Sequence, residues 1–297
     1  MSDSASTSDP TARAIIAVVA AVSVAALFSL AGSSGGLTLG GWPVFAVCTA
    51  LAFVVNWIAF VFAWRGRTER FYDLTGTLTY LLVTIVALVA GSRTGLSVVL
   101  AILVAVWSVR LGSFLFLRIQ ASGGDRRFDQ IKTNPWRFLL TWTMQALWVV
   151  LTAGAALAAM TSGSDARLGL VGILGILVWA VGLGLEWVAD AQKRAFRADP
   201  GNKGRFIRTG LWAWSRHPNY FGEITLWVGV ALVALPALSG WQYVTLISPV
   251  FVALLLIRIS GIPMLEARAR REWGDDPEFQ AYVARTPVLV PRPPGAR

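Results

Sequence analysis

Charged residues are scarce in this sequence of 297 residues. Aspartate, glutamate, lysine and arginine make up 14% of the chain, while 56% of it is hydrophobic and the mean hydropathy is +0.62. An ordinary soluble domain is roughly 25% charged. Because so little polar surface cannot cover a water-soluble globule of this length, we exclude a soluble enzyme and predict an all-α, polytopic helical membrane protein.

Cysteine and histidine are also nearly absent, with Cys48 and His217 as the single example of each. One cysteine builds neither a disulfide framework nor a zinc site, and one histidine does not build a histidine-rich metal centre, so no metal is expected. The sequence has no G-x-G-x-x-G after a strand, no Walker A motif and no H-E-x-x-H. Any nucleotide must therefore be held between helices and loops.

Eight apolar stretches reach or approach the roughly 20 residues that a helix needs to cross a bilayer. They lie at 12–32, 43–64, 73–90, 95–117, 136–160, 168–189, 220–238 and 243–263. We predict about eight (seven or eight) transmembrane helices in a single membrane-embedded domain at 12–291. A polar N-terminal tail (1–11) and a proline-rich C-terminal tail (292–297) flank this domain.

Lysine and arginine lie almost entirely on one side of the predicted membrane. Of the 26, 22 lie in segments that share a side with both termini, two lie in the opposite loops, and Arg110 and Arg258 lie within spans. The positive-inside rule therefore predicts cytoplasmic termini in a multi-pass protein of the inner (cytoplasmic) membrane. This topology and contact with membrane lipid account for the net charge of +10, so no nucleic-acid partner is expected.

Two acidic residues, Glu186 and Asp190, lie four residues apart at the predicted cytoplasmic end of the sixth span. This spacing places both carboxylates on one helix face, where they repel unless they share a cation or bind a ligand. The alternative to ligand binding is a structural role, in which the two carboxylates form ion pairs with Lys193 or Arg194. Asp73, at the start of the third span, is accounted for as an N-cap residue.

The segment at 201–223 combines basic, polar and aromatic residues. Its cationic and hydrogen-bonding side chains include Lys203, Arg205, Arg208, Arg216, His217 and Asn219. Arginine presents forked donors that suit phosphates, and the helix N-terminus predicted after Pro218 favours anions. The alternative is a basic loop that contacts anionic lipid.

Together these segments resemble the bacterial branch of the membrane-embedded steroid 5-alpha-reductase-like family. The resemblance covers roughly residues 70–291, and its stretches are YDLTGTLTY (72–80), WSVRLGSFLFLRI (107–119), GGDRRFDQI (123–131), LEWVADAQKRAF (185–196), FIRTGLWAWSRHPNYFGEITLWVG (206–229) and SGIPMLEARARREWGDDPEFQAYVARTPVLVP (260–291). It implies NADPH in a cytoplasm-facing pocket of the C-terminal half. It also implies reduction of a conjugated carbon–carbon double bond in a lipophilic, steroid- or isoprenoid-like substrate from the bilayer.

The resemblance also implies site residues. Those expected to bind the cofactor are Glu186, Asp190, Arg194, Arg197, Arg208, Arg216, His217, Asn219, Tyr220, Glu223 and Trp227. The steroid enzymes polarise the substrate carbonyl with a glutamate and a tyrosine, and the tyrosine position falls on Trp107 here. Asp73 and Tyr72 are the expected catalytic replacements.

A second resemblance leaves other functions open. The run Arg216–Tyr220, Glu266 and the segment Trp273–Tyr282 are similar to the ending of isoprenylcysteine methyltransferases, which bind S-adenosylmethionine in the corresponding pocket. A methyl donor has no pyrophosphate to neutralise, so the density of arginines favours the reductase. The alternatives are an S-adenosylmethionine-dependent methyltransferase and a non-catalytic lipid- or sterol-binding membrane protein.

Overall fold

The computed structural model describes residues 9–122 and 128–294, and it is 78% helical with almost no strand. Eight of the described helical segments are long and apolar enough to cross a membrane, which confirms the predicted fold class. The α-helices are α1 (Pro10–Gly32), α2 (Val44–Gly66), α3 (Tyr72–Ala90), α4 (Gly95–Ser122), α5 (Pro135–Thr161), α6 (Leu170–Ala198), α7 (Pro218–Ala234), α8 (Ser248–Leu254), α9 (Ile262–Trp273) and α10 (Pro277–Arg285).

The chain forms two compact units. The first unit comprises the residues up to Leu168 together with Ala234–Ile247, and α5 is its central, almost wholly buried helix. Small residues let neighbouring helices approach α5 closely: a methyl group added at Gly154 would lie 2.5 Å from the ring of Phe28 on α1. Such contacts between small residues are typical of helix packing in membranes.

The first unit also contains a short hairpin that the sequence did not predict. Strand β1 (Thr38–Leu39) pairs antiparallel with strand β2 (Trp42–Pro43). Gly40 and Gly41 form its turn with φ of 58° and 85°, values that glycine adopts without a Cβ clash. Strands of two residues lack the length to produce an alternating hydrophobic pattern, so only the turn glycines signalled them.

The second unit comprises Gly169–Val233 and Ser248–Arg297, and α6 and α7 pack closely within it. A methyl group added at Gly222 would lie 2.6 Å from the backbone nitrogen of Glu186, and one at Gly182 would meet the backbone of Leu226. The helix continues to Ala198, nine residues past the predicted end of the sixth span, and so carries several polar residues beyond the apolar stretch.

The eighth span is irregular rather than one straight helix. It runs through a 3-10 segment (Gly240–Ile247), α8, a π-helical turn (Leu255–Ile259) and then α9. Pro249 and Pro263 each lack a backbone N–H, so the ordinary hydrogen-bond ladder cannot pass through either position. As a result α9 is a separate amphipathic helix, and α10 follows it after a short turn.

Candidate functional site

The two acidic residues predicted at the end of the sixth span are buried side by side on α6. Glu186 is 2% exposed and Asp190 is 7% exposed. Asn219, at the start of α7, donates a hydrogen bond from Nδ2 to Oδ1 of Asp190 at 3.2 Å. Glu223 and buried Trp227 follow Asn219 at intervals of four residues on α7. The structure therefore brings Asp190 and Asn219 into contact, as a shared site requires.

A basic cavity of about 410 Å³ lies in the second unit, and the residues that line it do not include Glu186, Asp190, Asn219, Glu223 or Trp227. Its walls come from the end of α6, the loop at 202–207, the residues before α7, and helices α9 and α10. The charged residues that line it are Lys193, Arg197, Lys203, Arg205, Arg216, Arg268, Glu266 and Glu272. Six cations against two carboxylates make the lining strongly positive, which suits a ligand with several phosphate groups.

One carboxylate, that of Glu266, contacts two neighbouring side chains in the wall of this basic cavity. Glu266 on α9 accepts a hydrogen bond from Nη1 of Arg216 at 2.6 Å, and its other oxygen lies 2.9 Å from Nε2 of His217. The side chains of Arg216 and Glu266 are only 12% and 17% exposed, so this is a largely buried, charge-assisted contact. Both donors are thereby fixed in orientation at the cavity wall.

His217 is buried at the cavity wall, and its environment keeps the ring neutral. Burial lowers the pKa of His217 below its ordinary value, and the hydrogen bond to Glu266 offsets only part of that effect. The ring stacks on Tyr220 with 5.7 Å between centroids. Tyr220, a predicted cofactor ligand, therefore supports the His217 ring.

The C-terminal segment after α10 holds this region in place. The amide of Arg216 donates to the carbonyl of Pro287, and the amide of Arg292 donates to the carbonyl of Trp214, both at 2.9 Å. The hydroxyl of Ser215 donates to the carbonyl of Leu289 at 2.8 Å. These bonds attach the proline-rich ending, which has little regular structure, to the residues just before α7.

Aromatic rings form the apolar part of the lining. Phe206 contacts Trp273, Phe279 and Tyr282, with centroid distances of 5.2 to 5.9 Å. The hydroxyl of Tyr282 donates to the carbonyl of Trp212 at 2.7 Å, and burial raises the pKa of Tyr282. That phenol stays protonated at neutral pH and serves as a fixed donor. The rings offer flat apolar surface to a base or nicotinamide ring.

The structure distributes the other predicted residues unevenly. Arg197, Arg216 and His217 line the basic cavity, whereas Arg194 is exposed on α6 outside its lining. Arg208 forms an ion pair with Glu278 at 2.9 Å and is 41% exposed. Its guanidinium therefore already has an acidic partner.

The two predicted catalytic residues lie in the first unit, at the start of α3. The structure corrects the N-cap role of Asp73: α3 begins at Tyr72, Phe71 is the N-cap, and Asp73 lies in the first turn. The hydroxyl of Tyr72 donates to the carbonyl of Thr141 at 3.2 Å, and its ring lies 5.2 Å from that of Trp142. Residues 123–127 of the stretch GGDRRFDQI lie outside the described residues.

The basic cavity also contains residues that the motifs did not assign to a cofactor. The sequence predicts Lys193 as an ion-pair partner for the acids of α6, whereas in the structure its Nζ lies 4.4 Å from the centre of the Trp212 ring. Arg268 and Glu272 extend the lining from α9. Their spacing of four residues on an amphipathic helix was the available signal, but such pairs are common on solvated helix faces.

Comparison with known proteins gives the family. Residues 59–286 match the family model described as "Protein of unknown function (DUF1295)". The chain belongs to the DUF1295 family. This family contains steroid 5-alpha-reductase-like and isoprenylcysteine methyltransferase-like members.

One curated relative matches part of the chain. Over 85 residues the chain is 33% identical to a probable O-methyltransferase, ustE, of Ustilaginoidea virens. The match covers 28% of this chain, and the chain spans about 30% of the length of that relative. No solved structure matches this DUF1295 protein.

Proposed function

We propose that this protein is an NADPH-dependent membrane reductase that saturates a conjugated carbon–carbon double bond in a lipophilic substrate. The observation that carries the proposal is the charge of the basic cavity, with six cations against two carboxylates. NADPH carries a pyrophosphate and a 2′-phosphate, which such a lining neutralises. S-adenosylmethionine carries a positive sulfonium and no phosphate, so the same lining repels it.

The lining residues divide into two roles in this proposal. The cations of α6, α9 and the loop at 202–207 bind the phosphates, and the aromatic rings cover the flat parts of the cofactor. Bound NADPH supplies the hydride. The resemblance is the support for assigning Asp190, Glu186 and Asn219, which meet at the α6–α7 contact, to the polar groups of the cofactor.

Polarisation of the substrate carbonyl falls to Asp73 in this proposal. Hydride addition to an enone builds negative charge on the carbonyl oxygen, which needs a hydrogen-bond donor. A carboxyl group donates that bond only in its protonated form. The single hydroxyl proton of Tyr72 is donated to Thr141, so Tyr72 supports the site rather than donating to the substrate. The lipophilic substrate enters from the bilayer, and NADPH enters from the cytoplasm.

The second candidate is an S-adenosylmethionine-dependent methyltransferase. The similarity to the probable O-methyltransferase ustE favours it, as does the contact of Glu266 with Arg216 and His217 at the positions that resemble the methyltransferase ending. A non-catalytic lipid-binding role is the remaining alternative.

A ligand-dependent melting experiment tests the proposal. Detergent-purified protein is unfolded thermally with NADPH, NADH or S-adenosylmethionine, because a ligand at 100 times its dissociation constant adds about 2.7 kcal/mol to the folded state. We expect the largest shift with NADPH, and oxidation of NADPH when an enone substrate is supplied. Asp73→Asn is expected to keep that shift and lose turnover. A shift with S-adenosylmethionine alone would transfer the proposal to methyl transfer, and no shift would favour the non-catalytic role.

Two arginines on α9 test whether the phosphates of NADPH bind in the basic cavity. Arg268 lines the basic cavity, whereas Arg271 is exposed on the same helix and does not line it. Arg268→Ala is expected to weaken NADPH binding by about threefold to tenfold, since a charge-assisted contact to phosphate is lost. Arg271→Ala is expected to leave the affinity within twofold. Equal effects of the two substitutions would mean that the phosphates bind elsewhere.

A further inference from the structure

The loop at 202–207 contributes two cations to the basic cavity, Lys203 and Arg205. Both residues are exposed, and neither forms an ion pair with an acid among the described residues. By contrast, Arg208, just beyond the loop, is paired with Glu278 at 2.9 Å. The two charges of the loop are therefore available to a ligand in the cavity.

Hydrogen bonds to the backbone give this loop its shape. The indole Nε1 of Trp273 donates to the carbonyl of Gly204 at 2.7 Å. Gly204 has a φ of 79°, a conformation that glycine adopts without a Cβ clash. The nearby acid, Asp199, accepts from the amide of Gly201 at 2.8 Å and from Nδ2 of Asn202 at 3.2 Å. Its carboxylate thus binds groups of the loop other than the two cations.

The aromatic part of the cavity lining lies directly beside these cations. Phe206 follows Arg205 in the chain, and its ring lies 5.2 Å from that of Phe279 and 5.5 Å from that of Tyr282. The ring of Trp273, which bonds to the loop, is 5.9 Å from that of Phe206. Flat apolar rings suit the purine of an adenine dinucleotide. A charged group on the ribose next to that purine then lies within reach of the loop.

The cations on the helices form a separate group. Lys193 and Arg197 lie four residues apart on α6. Lys193 also interacts electrostatically with Arg268 on α9 and with Asp190. This group is therefore close to the acids of α6, whereas the loop cations are close to the aromatic rings. Two groups of cations correspond to the two phosphate-containing parts of NADPH, its pyrophosphate and its 2′-phosphate.

We propose that Lys203 and Arg205 bind the 2′-phosphate of the cofactor, and that this loop thereby selects NADPH over NADH. The inference rests on the proposed reductase function and deepens it, because it assigns one phosphate-containing part to each group of cations. The forked donors of arginine suit a phosphate, and lysine adds a point charge. The pyrophosphate, which NADH also contains, binds to the cations of α6 and α9 in this assignment.

The double substitution Lys203→Ala/Arg205→Ala tests the assignment by comparing two cofactors. Calorimetry on the detergent-solubilised full chain measures the dissociation constants of NADPH and NADH. We expect the wild type to bind NADPH at least about tenfold more tightly, because NADH lacks the 2′-phosphate that receives the charge-assisted bonds. The double variant is expected to bind the two cofactors within about threefold of each other, since only NADPH loses contacts. An unchanged preference for NADPH in the double variant overturns the proposal.

Two arginines on α9 provide the controls. Arg268→Ala is expected to weaken NADPH and NADH by the same factor and so to keep the preference, because the pyrophosphate is common to both. Arg271 does not line the cavity, and Arg271→Ala is expected to change neither affinity by more than about twofold. A preference that Arg268→Ala removes and the loop variant keeps overturns the proposal.

A milder variant keeps the test decisive if the double variant does not fold. Melting temperatures and size-exclusion profiles identify such a failure. Arg205→Gln removes one charge and keeps a polar side chain of similar length, and we expect it to lower the preference for NADPH by about threefold or more. The same effect is expected with the fragments 2′,5′-ADP and 5′-AMP, which differ only in the 2′-phosphate. No change in either comparison overturns the proposal.

The outcomes separate this inference from the proposed reductase. Equal binding of NADPH and NADH by the wild type overturns the role of the loop and leaves the reductase standing. A preference for NADPH that survives in the loop variants does the same. Failure of both dinucleotides to bind at millimolar concentration overturns both proposals. A preference for NADPH that is lost only in the loop variants supports both.

Discussion

Glu266 receives hydrogen bonds from two neighbouring residues of the same chain, one on each carboxylate oxygen. Arg216 lies at 2.6 Å and His217 at 2.9 Å, and all three side chains are at most 17% exposed. Removing one member of such a group leaves the other charge buried without compensation. The stability of this wall therefore depends on a single carboxylate that two sequence-adjacent residues share.

The substitution Glu266→Gln tests that dependence. The amide keeps the shape of the side chain but removes the charge that balances Arg216, so we expect the free energy of unfolding to fall by about 3 kcal/mol. Denaturant titration in detergent, followed by circular dichroism, measures it.

Glu272→Gln is the control on the same helix. Glu272 also lines the cavity, and its ion pair among the described residues is with the exposed Arg268 at 3.7 Å. Exposed pairs contribute little, so its loss is expected to change stability by no more than about 0.5 kcal/mol. Losses of equal size at the two positions would contradict the special role of Glu266.

Helices α6 and α7 meet through glycines along their whole contact. A methyl group added at Gly175 would lie 2.8 Å from the carbonyl oxygen of Gly229, and one at Gly222 would lie 2.6 Å from the carbonyl oxygen of Gly182. This close backbone approach brings Asp190 within reach of Asn219, because both sit just beyond the glycine contacts. In a bilayer, where lipid is as apolar as leucine, such packing is a main source of helix association.

The substitution Gly222→Ala is expected to push the helices apart. Overpacking of this kind costs about 1–3 kcal/mol, and the separation should also weaken NADPH binding because Asp190 and Asn219 lose their contact. Melting temperature and NADPH affinity measure the two effects.

Gly184→Ala on α6 is the matched control, since nothing lies within 4 Å of the added methyl group. Alanine is the better helix former by about 1 kcal/mol, so this variant should be as stable as the wild type or slightly more stable. Destabilisation by Gly184→Ala, or no effect of Gly222→Ala, would refute the packing argument.

The pH dependence of stability is a property of the whole molecule, and one residue dominates it near neutrality. His217 is the only histidine in the sequence. Burial lowers the pKa of His217 in the folded protein below its ordinary value of 6.5. Between that folded pKa and 6.5, the unfolded chain therefore binds a proton that the folded chain does not.

Stability is accordingly expected to decrease as the pH falls from 7 through 6.5, by up to about 1.4 kcal/mol per pH unit. The decrease should level off below the folded pKa, where both states carry the proton. Melting temperatures between pH 7 and pH 5.5 measure it, and His217→Asn should abolish the change in this range. A stability that rises on acidification would contradict a neutral, buried His217.

Sequence alone determined the class of fold. A membrane span is a local property, because about 20 consecutive apolar residues satisfy every backbone group as a helix in lipid. All eight predicted spans correspond to helical segments, and the main differences lie at ends, such as the extension of α6 to Ala198. The contact between Asp190 and Asn219 could also be predicted from the sequence, because the spacing of the acids singles out Asp190 and the family motif includes both residues.

Only the tertiary structure decided which charges share a cavity. Lys193 and Arg268 are 75 residues apart in sequence, and an exposed arginine such as Arg271 looks the same in a sequence as one that lines a wall. A membrane span depends on the hydrophobicity of consecutive residues, so a short stretch of sequence is enough to recognise it. A binding site depends on side chains that converge from α6, α9 and the intervening loops, and this convergence leaves no periodic mark in the sequence.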